Sequence, residues 1–144
     1  MKLTARYPFS ASHRLHSEQL SEASNWTVYG KCNNPFGHGH NYWLEVTVQG
    51  EADRTTGMIV KREKLDHMVE EEVLKRVSHR NLSVELSELN EVVPTTENVA
   101  MVFLQMLQRG WGRHFKDQSI ELSRVRIYET RNNRFEINAH EVKQ

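Results

Sequence analysis

The chain reads as an α+β fold: two strands, two helices and two strands in that order, with the helices on one face of an antiparallel sheet. Three observations predict it. Residues 3–15 and the stretch from His38 onward alternate apolar and polar with period two. Residues 61–77 and the run after Pro94 repeat apolar side chains at helical spacing on a charged background. Two β-rich segments, 119–130 and 134–139, flank Asn132-Asn133, which is hairpin chemistry.

In the first strand Phe9, Ala11 and His13 share one face. The Ser/Glu/Asn-rich residues 17–25 read as a connecting loop. In the second strand His38, His40, Tyr42, Leu44, Val46 and Val48 point one way, with Glu45, Thr47 and Gln49 opposite, so one face is buried. Asp53–Gly57 makes a turn. The first helix, 61–77, carries Leu65, Met68, Val69, Val73, Leu74 and Val77. Pro94-Thr95-Thr96-Glu97 starts the second, with a hydroxyl cap and an acid in its first turn, and Val99, Val102, Phe103, Met106 and Leu107 follow. It ends before Gly110 or Gly112. A four-stranded sheet this short leaves open edges, which invites side-by-side closure between subunits.

At 144 residues the chain fits one domain, 1–144, large enough for a core but small for a deep active site of its own, so a site between subunits is expected. Lys plus Arg and Asp plus Glu both number 19, without like-charge runs, which argues against nucleic acid and anionic membranes as partners and for a small molecule. Polar residues come too early for a signal peptide and no apolar stretch approaches a membrane span, so a soluble, cytoplasmic protein is expected. Cys32 is the only cysteine, which excludes an internal disulfide and any multi-thiolate zinc site.

The chemistry concentrates in His13, His38 and His40. His38 and His40 lie two apart on one strand face with a glycine between them, and pairing with the first strand brings His13 to the same spot. Three imidazoles with a fourth position open are the donor set of a catalytic zinc, and imidazole favours zinc over magnesium or calcium. His16, His67, His114 and His140 lack such company. Cys32 sits in a polar loop beside Lys31, where an adjacent cation or metal lowers a thiol toward its thiolate.

Several segments together carry a family resemblance. G-K-C-N-N-P-F-G-H-G-H-N-Y (30–42), F-S-A-S-H-R-L (9–15), T-G-M (56–58), H-R-N-L (79–82), T-T-E-N-V-A (95–100) and Y-E-T (128–130) resemble the 6-pyruvoyltetrahydropterin synthase family in the right order over nearly the whole chain. The resemblance implies a tunnelling fold, in which ββααββ subunits form a trimeric barrel and two trimers stack into a homohexamer with active sites at subunit interfaces. It implies 7,8-dihydroneopterin triphosphate as substrate and zinc as the metal on His13, His38 and His40. It further implies Cys32 as general base, His79 as proton relay, Glu129 as pterin anchor, and Thr95 and Thr96 as pocket residues. Arg14 and Lys31 are candidates for holding the triphosphate. Five residues separate Cys32 from His38, and on that spacing the chain resembles the pyruvoyl-forming branch more than the 6-carboxytetrahydropterin synthases of queuosine and deazapurine synthesis.

One position departs from the family pattern. The relay histidine there follows an aspartate, whereas Ser78 precedes His79. A hydroxyl orients an imidazole but does not offset an imidazolium charge, so either a carboxylate from elsewhere, with Glu85 and Glu88 as candidates, replaces the acid or the reaction is slow or altered. Three alternatives stand beside the pyruvoyl-forming synthase: a 6-carboxytetrahydropterin synthase on the same substrate, a zinc-containing pterin-binding paralogue of low activity, and a purely structural zinc.

Overall fold

A computed structural model describes residues 1–116 and 119–142. Strands β1 (Lys2–His13), β2 (His38–Gln49), β3 (Arg80–Asn81), β4 (Glu121–Thr130) and β5 (Asn133–Asn138) form one sheet in the order β3-β1-β2-β4-β5. β1 and β2 pair antiparallel along their full length, from Lys2 opposite Gln49 to His13 opposite His38. The alternation read from sequence sets this register, because a slip of one residue would turn every apolar side chain to the wrong face. Tyr7, Phe9, Ala11 and His13 of β1 and Tyr42, Leu44, Val46 and Val48 of β2 are all buried, and Phe9 stacks on Tyr42 with ring centroids 4.8 Å apart.

Helices α2 (Arg62–Val69) and α5 (Thr96–His114) cover that face and bring Leu65, Met68, Val69, Val99, Phe103, Met106 and Leu107 into the core. Truncating a residue such as Phe103 costs about 3–5 kcal/mol, whereas a helix cap contributes about 1 kcal/mol. Packing therefore holds the layers together, and the caps only fix where helices begin. Thr95 is the cap of α5, its hydroxyl accepting from the Asn98 N–H at 3.3 Å.

Four features depart from the sequence reading. Residues 22–29, expected as loop, form helix α1 (Glu22–Tyr29), started by Ser21, whose hydroxyl accepts the Ser24 N–H. The helix has no apolar stripe, so periodicity does not reveal it. The first long helix does not run evenly through 77: it passes through a π-helical turn (Glu70–Leu74) before a last α turn, α3 (Lys75–Val77). A short parallel strand, β3, joins the sheet beside β1 and is followed by α4 (Leu82–Glu85), so the sheet has five strands rather than four. Finally, α5 continues through Gly110 and Gly112 to His114. A Cβ at Gly110 would run into the Glu72 side chain, so this glycine leaves room for a carboxylate of the facing helix instead of ending its own.

Candidate metal centre and its surroundings

The inward face of the sheet ends in imidazoles. His13 closes β1, His38 and His40 open β2, and their three rings stand edge to face, with centroids 4.6–5.2 Å apart. Gly37, at φ 71°, makes the approach possible, because a Cβ there would sit 2.8 Å from the His13 carbonyl oxygen. One histidine is fully enclosed: His13 is 1% exposed and its Nδ1–H donates to the Pro94 carbonyl at 2.8 Å. That bond assigns the tautomer and leaves Nε2 as the lone-pair nitrogen, the usual way a protein orients a metal-binding imidazole.

Glu129 completes the group. One ring donor from each histidine and one Glu129 oxygen lie within 4.8 Å of one another, the only such cluster among the described residues. The His13 and His38 Nε2 atoms are 3.1 Å apart, and Glu129 Oε1 is 3.2 Å from Nε2 of His13 and 3.4 Å from that of His40. The His40 Nε2 is buried and has no hydrogen-bond partner, the Glu129 contact lacking the geometry for one. Burial pushes the pKa of both His38 and His40 below the ordinary value, for His38 with help from the neighbouring imidazoles. Neutral, converging nitrogens with an unmatched buried lone pair fit a metal ion, and His13, His38, His40 and Glu129 could hold one.

The backbone aims Glu129. The β4–β5 pairing shifts register between Tyr128 and Thr130, and the extra residue is Glu129, a bulge of the kind that redirects a side chain. Its Oε2 accepts from Asn133 Nδ2 at 2.6 Å and from the Thr96 hydroxyl at 3.1 Å. The His13 ring beside Oε1, then the Asn133 and Thr96 bonds, hold the carboxyl at about 2, so it stays ionised. The two threonines thus divide: the Thr95 hydroxyl is engaged by the helix start, and the Thr96 hydroxyl bonds Glu129. Asn133 and Pro94 are partners that the sequence reading did not single out, although the Asn-Asn turn and the Pro-Thr-Thr-Glu helix start mark both places.

Of the remaining candidates, Cys32, Arg14 and Lys31 lie outside this cluster, while His79 shares a surface depression with His40. Cys32 lies partly buried in a 3₁₀ turn (Gly30–Asn33) whose carbonyl at Cys32 accepts the Leu15 N–H at 2.8 Å. Asn33 ties the same turn to Arg14 and His16, so Arg14 is already engaged, while Lys31 is exposed. His79 is the only non-glycine residue with positive φ, 59°, among the described residues, and its N–H donates to the Ser10 carbonyl. Its exposed side chain lines an open depression with Ser10, Ser12, Asn41, His40 and Glu85. No hydrogen bond joins His79 to Cys32 or to Ser78 among the described residues, and Cys32 does not line that depression. Glu88 is taken by Arg76, at 2.7 and 2.8 Å, and by Arg109. Glu85 lines the depression with His79 but is itself engaged, accepting the Asn81 N–H at 2.7 Å and pairing with Arg80 at 3.4 Å.

A family profile described as 6-pyruvoyl tetrahydropterin synthase matches residues 2–140. The chain is 42% identical to 6-pyruvoyl tetrahydrobiopterin synthase of Homo sapiens over 132 residues, covering 92% of this chain and 87% of that one. It is 40% identical to the protein of the same name from Dictyostelium discoideum, covering 91% and 90%. Among solved structures, 6-pyruvoyl tetrahydropterin synthase of Caenorhabditis elegans superposes with a TM-score of 0.86 at 40% identity, over 96% of this chain and 94% of that one.

Proposed function

Because the chain belongs to the 6-pyruvoyl tetrahydropterin synthase family and has its tunnelling fold, we propose that it converts 7,8-dihydroneopterin triphosphate to 6-pyruvoyl-tetrahydropterin with release of triphosphate. It is a lyase. The observation that carries the reading is the imidazole trio with its fixed His13 tautomer and partnerless His40 Nε2. A zinc ion held by His13, His38 and His40 supplies Lewis acidity toward the hydroxyls of the substrate side chain.

The chain's own groups do the rest. Cys32, as thiolate, takes a carbon-bound proton from the side chain, and His79 returns or relays protons. Glu129 accepts the ring N–H and exocyclic amine, a bidentate match that fixes which atoms meet the base. Thr96 holds Glu129 in place, and Thr95 presents the start of α5 to the pocket. The shift of oxidation level from side chain to ring is internal, so no nicotinamide or flavin takes part.

Residues 1–144 act as one domain, assembled as a homohexamer of two trimers in the cytoplasm. Two features support assembly: β5 forms one border of the sheet, and at the other β1 is bordered only by the two-residue β3. Strand borders left this open are pairing surfaces. Among the described residues, no helix is long and apolar enough to cross a membrane. Cys32 and His79, apart within one chain, then meet across an interface.

Mass-spectrometric product analysis of zinc-loaded protein with 7,8-dihydroneopterin triphosphate tests the reading. A pyruvoyl product with free triphosphate supports it. Carboxytetrahydropterin with acetaldehyde moves the chain to the carboxy-forming reaction. Ser78 favours a second reading, a pterin-binding protein of low turnover, because its hydroxyl makes no bond to His79 among the described residues. Unchanged substrate with bound pterin would select it.

A further inference from the structure

Glu129 is given one task by the reading above, holding the pterin ring, yet its free oxygen faces the histidines. Four donors around a zinc ion at about 2.0–2.2 Å stand about 3.3–3.6 Å from one another if tetrahedral. The separations here are 3.1 Å between His13 and His38 and 3.2 and 3.4 Å from Glu129 Oε1 to His13 and His40. Glu129 Oε1 therefore stands at donor spacing from two of the three histidines, within a group that spans no more than 4.8 Å. Its other oxygen accepts from Asn133 and Thr96, so Oε1 is the oxygen that either a metal or a ring donor can claim.

We propose that Glu129 works in alternation, as the fourth metal donor while the site is empty of substrate and as the pterin anchor once the ring is bound. The bulge that carries it, and the Asn133 and Thr96 bonds at Oε2, form the pivot about which Oε1 leaves one partner for the other. The charge of the carboxylate does not change in the exchange. The substrate's own side-chain oxygens take the vacated place, so the metal is opened only when the molecule to be activated has arrived. This builds on the zinc and pterin reading and adds a competition that the reading does not require.

The competition is measurable without turnover. Unsubstituted pterin has the ring donors but no side-chain hydroxyls, so it draws Glu129 away and gives the metal nothing in return. Its fluorescence is titrated against full-length protein, zinc-loaded and zinc-stripped, and zinc affinity is measured by competition with a chromogenic chelator. The expected result is pterin binding about tenfold tighter without zinc, and zinc binding weakened by the same factor in saturating pterin, since such coupling is reciprocal. Glu129→Gln should weaken zinc about tenfold or more with the far-UV circular dichroism unchanged. Equal pterin affinity with and without zinc in the wild type overturns the exchange, as does zinc affinity indifferent to Glu129→Gln. Pyruvoyl product without coupling overturns the exchange alone. Coupling without product overturns the assigned reaction and leaves the exchange standing.

Discussion

The two halves of the proposed active site are built to different standards. The metal half lies at the end of the longest strand pair, continues the buried face of the sheet, and brings four donors within 4.8 Å of one another inside one chain. The base half is scattered. Cys32 sits in a 3₁₀ turn off the end of β1, and His79 occupies a left-handed conformation at the sheet's border. The histidines and Glu129, which converge on one point, are placed by the core itself, so folding one copy places them. Cys32 and His79, proposed to pass protons, stand on peripheral turns, which under that proposal a second copy can complete.

Breaking the metal half should have the largest effect. His38→Ala is expected to lose zinc and about three orders of magnitude in rate, the several kcal/mol that a Lewis acid supplies, with the circular dichroism spectrum retained. Unfolding on chelation alone would instead make the metal structural. Cys32→Ala should separate the halves: full zinc content by elemental analysis, and kcat lower by about 10²–10⁴-fold. Mixing Cys32→Ala with His79→Ala protein, dissociated and reassembled, should regain part of the activity. A silent mixture would place both groups in the same copy.

Smaller effects sharpen the base half. Ser78→Asp should raise kcat and Glu85→Gln lower it, each roughly threefold, the scale of an exposed charge contributing under 1 kcal/mol. If neither moves, His79 works without a carboxylate partner. The smallest concerns acid. The folded pKa values of His38 and His40 lie below that of unfolded histidine, about 6.5, so in acid the unfolded chain binds protons first. Their contribution to stability is complete above that pH and is lost as the pH falls toward the folded values. Urea titrations of zinc-free protein between pH 7.5 and 5.5 should show this decline, and zinc, which binds only the neutral imidazoles, should make it steeper.

The same division explains what the sequence makes legible. His38 and His40 continue an alternating strand, so both their side and their strand follow from period two, and Thr95-Thr96-Glu97 announces its helix start by cap chemistry. Glu129 could be named but not aimed, because a bulge is a register event that no single strand's pattern records. Helix α1 escapes a search for apolar stripes, since its cap is local and its one buried residue, Asn25, is polar. The pairing of β3 with β1 joins residues about seventy apart through two positions, too few for a periodic signal. Gly110 shows the reverse error, in which a residue that usually stops a helix serves the space between two.

The bulge at Glu129 also imposes a counting rule on the chain. Along a strand, side chains keep their side only when residues are gained or lost in pairs. The turn Arg131–Asn132 joins a strand whose count has already been offset by one, and Asn133 reaches Glu129 only under that offset. Changing this turn by a single residue would carry Asn133 away from the carboxylate while leaving every core residue of β1 and β2 in place. Residues 17–29, which belong to no ladder, carry no such arithmetic, so length can vary there without cost to the metal's surroundings.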